Sequence, residues 1–315
     1  MSINRRHFLF LSSLSVFGIA VFSKLIRRQT AQSTAISPIN PDNLASASTT
    51  ADALSQPGDG SPLLRFVSVA DTGTGAVGQY AVAAAMTRYH QLHPYDLVIL
   101  AGDNIYNNGE MEKIGAVFEK PYQALLKQGV KFQACLGNHD IRTDNGNLQV
   151  RYPGFNMSGR YYTFRRGDVQ FFALDTNHNA DWKAQLAWLE QELSGSAAPW
   201  KVVFGHHQIY SSGQYGLNQP FIQALTPLFQ KHRVQLYING HEHNYERTRP
   251  IDGTSYVICG AGAGTRPVGR SQWTAYSAER LSFAAYEVYR DRLIVSGIGS
   301  DHQVFDRGMI PLQAG

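Results

Sequence analysis

Five short apolar runs in this chain each end on a residue type that binds metal ions, and this arrangement constrains the fold more than any other feature. The runs are VSVA before Asp71, LVILAG before Asp103, FQACLG before Asn138, VVFG before His206 and LYING before His241. Runs this short and this apolar, bounded by glycine and polar residues, read as buried strands. Helical stretches are expected between them at 78–90, 111–127 (interrupted near Pro121), 181–193 and 221–231. Strands alternating with helices predict an α/β domain. Ligands gather beyond the carboxyl ends of strands in such sheets, so five strands delivering a polar residue there predict one shared site. Gly102, Gly137, Gly205 and Gly240 immediately precede four of those residues, and tight backbone turns are expected at them.

The remaining elements follow from pattern. A β-hairpin is expected from 161–165 and 169–174 around Arg166-Gly167-Asp168, with further strands at 256–259, 283–289 and 293–296. The 181–193 helix should turn Trp182, Leu186, Trp188, Leu189 and Leu193 to the core. No internal repeat appears, because the five segments share placement and not sequence.

The donors form a chemically coherent set. Asp71, Asp103, Tyr106, Asn138, His206, His241 and His243 lie in the segments VADTG, GDNIY, GNHD, GHH and GHEHN. A two-metal hydrolase needs a bridging carboxylate, terminal ligands on each ion, and open positions for water and substrate. Asp103 is the natural bridge. Asp71, Tyr106 and His243 can complete one ion; Asn138, His206 and His241 can complete the other. Tyrosine is the most telling member, since a phenol of pKa near 10 ligates as phenolate only beside a strong Lewis acid. His139, next to Asn138, is the candidate to bind phosphate or protonate a leaving group. Asp140 either orients His139 or serves the turn.

These segments resemble the signature blocks of the purple acid phosphatases, within the calcineurin-like metallophosphoesterase superfamily. The similarity runs from about Leu64 to the end of the chain and is strongest to the small, tartrate-resistant type. It takes in the QLAWLEQEL helix before GHH and the YVICGAG strand after GHEHN. The resemblance implies a four-layer αββα sandwich of two mixed β-sheets flanked by helices. It also implies Fe(III) on Asp71, Asp103, Tyr106 and His243, with a divalent Fe, Zn or Mn on Asp103, Asn138, His206 and His241. The implied activity is acid phosphatase hydrolysis of phosphate monoesters by attack of a metal-bound hydroxide. The alternatives are a phosphodiesterase or pyrophosphatase on the same scaffold, or a metal-binding redox protein without hydrolysis. Two departures stand out. The wider superfamily opens with Asp-x-His, whereas this chain has Asp71-Thr72-Gly73; Tyr106 compensates. Where the resemblance implies a substrate-contacting histidine, nine positions past His206, this chain has Tyr215. His207 is expected to point elsewhere, and His178 is either a substitute acid or a solvated loop histidine. Arg266 and Arg270 follow a glycine run that opens no helix, and they either line a tight loop near the metals or help attract a phosphate dianion.

Composition bounds the rest. With 43% hydrophobic residues the chain can bury a sizeable core. The formal net charge is +4, yet Arg5, Arg6, Lys24, Arg27 and Arg28 lie in the first thirty residues without an acidic partner; removing those five leaves −1. The basic character therefore belongs to the N-terminus, and no nucleic-acid surface is expected. Arg5-Arg6 with Phe8 and Leu9, ahead of an apolar run to Phe22, resembles a twin-arginine export signal. That implies passage through the twin-arginine machinery to a periplasmic or extracellular location. A retained membrane anchor is the rival reading, because Lys24, Arg27 and Arg28 follow the run and the small-residue cleavage patterns come only at Ala45–Ala47 and Ala51–Ala53. The expected organisation is signal or anchor at 1–28, a flexible Ser/Thr/Ala/Pro linker at 29–62, and the catalytic domain at 63–315. Cys135 and Cys259 sit in apolar runs and read as core cysteines rather than a disulfide framework. Small phosphorylated compounds are the expected substrates.

Overall fold

The computed structural model describes residues 60–313. The segment expected as signal or anchor, and all but the last three residues of the expected linker, lie outside the described residues. No helix among the described residues is long and apolar enough to cross a membrane.

Two mixed sheets pack face to face. The first holds six strands: β1 (Leu64–Val69), β2 (Leu97–Leu100), β3 (Lys131–Ala134), β11 (Ser282–Val288), β12 (Arg292–Gly299) and β13 (Val304–Pro311), in the order β13-β12-β11-β1-β2-β3. The second holds β4 (Tyr162–Arg166), β5 (Val169–Ala173), β6 (Trp200–Phe204), β7 (Leu236–Asn239), β8 (Tyr245–Thr248), β9 (Ser255–Cys259) and β10 (Thr274–Ala278), in the order β10-β8-β9-β7-β6-β5-β4. β1, β2 and β3 run parallel as neighbours, as do β6 and β7. All five ligand-bearing strands therefore point the same way within their sheets.

Side-chain alternation sorts the core into three bodies. Phe66, Leu97, Ile99, Phe171, Val202, Phe204 and Ile238 meet between the sheets, with Cys135 and Cys259 buried among them as free thiols. Val67, Val98, Leu100 and Phe132 face outward beneath α1 (Val77–Leu92), which contributes Val82, Ala85 and Met86. On the opposite face, Phe172, Val203 and Tyr237 are covered by α4 (Trp182–Gly195) and α5 (Gln219–Lys231) through Leu189, Leu193, Leu225 and Phe229. Helix, sheet, sheet and helices give the four-layer αββα sandwich that the resemblance implied. Two short helices, α2 (Gln123–Lys127) and α3 (Asn147–Arg151), lie on the loops flanking β3.

Several local expectations change. The 111–127 stretch is helical and interrupted near Pro121 as expected, but only α2 is α-helical: a 3₁₀ turn at Met111–Lys113 and a π-type turn at Gly115–Glu119 precede it. On α4, Leu189 and Leu193 are buried, whereas Trp182, Leu186 and Trp188 are only partly so. Gln185 takes a fully buried place because its amide pairs with both the N–H and the carbonyl of Asp175. Strands β8, β10 and β13 escaped the sequence pattern. Each is interrupted by polar residues whose partners lie far away in the chain, such as Arg247 with Asp306.

Candidate metal centre

The strand ends are stitched by backbone hydrogen bonds before any side chain acts. Asp71 N–H donates to Gly102 O at 3.0 Å, Ala70 N–H to Cys259 O at 3.0 Å across the two sheets, and Gly240 N–H to His206 O at 3.0 Å. The turns fall on the proposed ligands themselves: Asp71, Asp103 and His241 have φ of 56°, 53° and 69°. Holding non-glycine residues in the left-handed region costs on the order of 1 kcal/mol each. Of the four preceding glycines, only Gly102 has positive φ, at 87°. The expectation of turn glycines at 137, 205 and 240 is thus corrected to one of close approach. At Gly137 a Cβ would stand 2.2 Å from Asp103 Oδ1 and 2.3 Å from its backbone nitrogen.

One group of donors converges tightly. Tyr106 OH lies 3.0 Å from Asp71 Oδ1 and 3.2 Å from His243 Nε2, and that nitrogen is 3.3 Å from Asp71 Oδ1. A second group meets beside it: His206 Nε2 is 3.1 Å from Asn138 Oδ1 and 3.5 Å from Asp103 Oδ1. The donor atoms of Asp71, Asp103 and His206 lie within 4.8 Å of one another, as do those of His206, His207 and His241. His206 Nδ1 contacts Ala101 O at 3.0 Å, which fixes the ring so that Nε2 faces the site. His241 enters through its backbone N–H, which donates to Asp71 Oδ2 at 2.9 Å, and its ring stands 5.1 Å from that of His206. All seven predicted donors are brought to one place.

Gly73 explains why the first segment has no histidine. A Cβ there would fall 2.0 Å from the carbonyl oxygen of Asn104, and Tyr106 N–H donates to Gly73 O at 2.8 Å. The loop carrying Tyr106 packs its Asn104–Ile105 backbone directly on position 73, so no side chain fits there.

Asp140 serves the turn, one of the two roles expected of it, and reaches beyond it. Its buried carboxyl accepts from Asn104 N, Ile105 N, Gly137 N, Asn104 Nδ2 and Gln149 Nε2, at 2.7–3.2 Å. It therefore ties the GDNIY loop to the GNHD loop and does not touch His139. Burial and the Asp103 charge push the Asp140 carboxyl up to about 7, against the pull of its N–H donors. His139 is held elsewhere: its N–H donates to Asp103 Oδ1 at 2.9 Å, its Nδ1 meets Asn107 O at 2.7 Å, and its ring stands edge-on to Tyr106 at 4.5 Å.

The rim holds residues that the pattern undervalued. His207 does not point away; its ring lies 4.5 Å from that of His241, with Nδ1 bonded to Thr176 Oγ1 at 2.8 Å. Tyr215 stacks on His241, and Arg266 lies over Tyr215 while donating to His241 O at 3.1 Å. Arg270 donates to Ala275 O, and His178 is exposed. Glu242, inside the GHEHN segment, and Glu246, both buried beneath this rim, are given no role by the sequence pattern.

Residues 64–245 match the calcineurin-like phosphoesterase family, and the chain belongs to it. Relatives that the chain matches include purple acid phosphatases. Purple acid phosphatase 7 of Arabidopsis thaliana is 30% identical over 241 residues, covering 65% of this chain and 71% of that protein. Tartrate-resistant acid phosphatase type 5 of Sus scrofa is 25% identical over 239 residues, covering 64% of this chain and 70% of that protein. Among solved structures, purple acid phosphatase PPD1 from yellow lupin (Lupinus luteus) seeds has the same fold, with a TM-score of 0.65 and 20% identity over 80% of this chain and 55% of that one. The chain is thus a metallophosphoesterase whose family implies a dinuclear metal centre.

The donors suit such a centre. Burial and the charges of Asp71 and Asp103 push the Tyr106 phenol far above its ordinary value, so only a strong Lewis acid would make it a phenolate. Burial, with His206 nearby, pushes His241 down to about 3 and keeps the imidazole in its neutral, ligating form. Burial alone would raise Asp71, but the hydrogen bond with His243 and the neighbouring histidines leave its carboxyl below the usual range, ready to bind a cation.

Proposed function

We propose that this chain is an exported acid phosphatase acting on phosphate monoesters. Fe(III) would be held by Asp71, Asp103, Tyr106 and His243, and divalent Fe, Zn or Mn by Asp103, Asn138, His206 and His241. The observation that carries the reading is the convergence of a phenol, a carboxylate and an imidazole within 3.3 Å. A phenol in that company suits a trivalent ion. When bound, the ions would supply Lewis-acid activation of water and neutralisation of phosphoryl charge.

The chain's own residues account for the remaining work. Asn107 O fixes His139 through Nδ1–H, and Nε2 accepts from Arg142; an incoming phosphate oxygen would take that place, and the ring would give a proton from Nε2 to the departing alcohol only as the imidazolium. Arg142 adds positive charge there, with Nη2 at 3.4 Å from His139 Nε2. Asp140 keeps the two loops in register, so that Asp103 and Asn138 face the same space. The Arg5-Arg6 pair supports export of the folded, metal-loaded enzyme by the twin-arginine route, with release or an N-terminal tether as its end state.

Metal analysis of aerobically purified protein, with visible absorption and paired nitrophenyl monoester and diester assays, tests the reading. Iron, a charge-transfer band and preferential monoester cleavage are expected. A colourless, metal-replete protein without iron would sink the tyrosinate assignment, and preferential diester cleavage would overturn the substrate class. Lysine at both Arg5 and Arg6 should hold the protein in the cytoplasm; unchanged export would remove the twin-arginine route.

A further inference from the structure

His206 and His241 are oriented by different means. The first has its Nδ1 pinned by a backbone carbonyl at 3.0 Å. Among the described residues no protein group makes a hydrogen bond to the His241 ring; it is bounded by other rings. Tyr215 lies flat on it, with centroids 4.3 Å apart and planes 21° from parallel. His207 closes another side at 4.5 Å.

Tyr215 is not held there by burial, since it is 44% exposed. Polar contacts hold it. Glu242, which stands between His241 and His243 and is fully buried, accepts from Tyr215 N at 2.6 Å, Gln214 N at 3.1 Å and Ser211 Oγ at 3.0 Å. The loop wraps so closely at Gly213 that a Cβ there would come within 2.8 Å of the carboxylate. Glu246, four residues on, anchors the same loop through Ser212 N and Ser212 Oγ, both at 2.7 Å. Arg266 joins the two sides: its guanidinium donates to His241 O at 3.1 Å and lies 5.7 Å from the Tyr215 ring centroid, and its N–H donates to His243 O at 2.7 Å.

We propose that Tyr215 is the positioning residue of His241: clamped by Glu242, its ring sets the plane of the imidazole and does by stacking what a hydrogen bond does for His206. The proposal rests on the reading of His241 as a metal ligand. An orienting partner of a ligating histidine affects metal affinity by about 10- to 100-fold. A flat ring is what the position requires, and its hydroxyl is not.

The test uses the full chain, metal-loaded, as wild type and as Tyr215→Phe, Tyr215→Leu, Glu242→Gln and His241→Ala. Divalent-ion content is measured after equilibration against graded chelator, alongside KM and kcat for a nitrophenyl monoester. Tyr215→Leu should weaken divalent-ion retention by about 10-fold, Tyr215→Phe should restore wild-type retention, and Glu242→Gln should fall between them. Loss of the ion in His241→Ala with full retention in Tyr215→Leu overturns the proposal alone. Equal loss in the Phe and Leu variants also overturns it, by assigning the effect to the hydroxyl. Wild-type retention in His241→Ala removes the ligand reading and the proposal with it. The Tyr215 substitutions alter an exposed side chain, so the result stands even if Glu242→Gln does not fold.

Discussion

The floor of the site and its rim are built in different ways. On the floor, Asp71, Asp103, Asn138 and His206 lie just beyond strand ends, held by backbone hydrogen bonds and by the buried Asp140 carboxylate. Asp71 N–H is bonded to Gly102 O, His206 Nδ1 meets Ala101 O, and the Asp140 carboxylate draws five N–H donors from two ligand loops and α3 into one knot. On the rim, His207, Tyr215 and Arg266 come from loops: the Thr176 hydroxyl holds His207, the Glu242 carboxylate holds Tyr215, and the carbonyls of His241 and His243 hold Arg266 over the Tyr215 ring. The floor has no room to vary, as the would-be contacts at Gly73 and Gly137 show. The rim can vary, and the chain differs there from the pattern that the resemblance implied. Four of the proposed donors thus belong to the rigid part, and the departure at Tyr215 belongs to the adjustable part.

That contrast can be broken by mutation. The largest effect should come from His206→Ala on the floor, which should empty the divalent position and lower kcat/KM on the order of 10³-fold, the scale of losing one preorganised electrostatic group. A loss below tenfold in metal-analysed protein would show the floor to be as tolerant as the rim. Gly73→Ala should cost about 3 kcal/mol in urea unfolding, because the new Cβ meets the Asn104 backbone. Wild-type stability there would mean that the Tyr106 loop can move. Asp140→Asn keeps the shape but turns an amide N–H₂ toward donors. A 10- to 100-fold loss of metal affinity is expected by chelator titration, with the fold retained by circular dichroism. The smallest effect belongs to the rim. Arg266→Gln should raise KM by about two- to fivefold, the worth of an exposed cation–ring contact of 0.5–1 kcal/mol, with little change in kcat. A kcat collapse there would move Arg266 from the rim into the floor.

Much of the floor was legible in the sequence because each ligand strand is a local event. VVFG-His206 or LYING-His241 needs only a few apolar residues followed by a donor, and Tyr106 could be read from its place beside Asp103. What escaped was non-local. Strand β8 carries Glu246 and Arg247, which look like solvent-facing residues until Ser212, Thr274 and Asp306 are brought to them. Glu242 looks like a spacer between two histidines until the 211–215 loop folds over it. Asp140 reads as a turn residue, since the amides that it gathers lie up to 36 positions away.

The sequence by itself determined the kinds of donor, their placement at the ends of apolar strands, and the pairing of a first segment without histidine with a tyrosine at 106. Strand formation and donor chemistry are properties of short segments. Only the tertiary structure decided which donors share a space and what orients them. His241 reaches Asp71 across 170 positions of chain, and His243 reaches Tyr106 across 137. Two sheets must pack face to face before those atoms can meet, and the residues that aim them are chosen by that packing rather than by their neighbours in sequence.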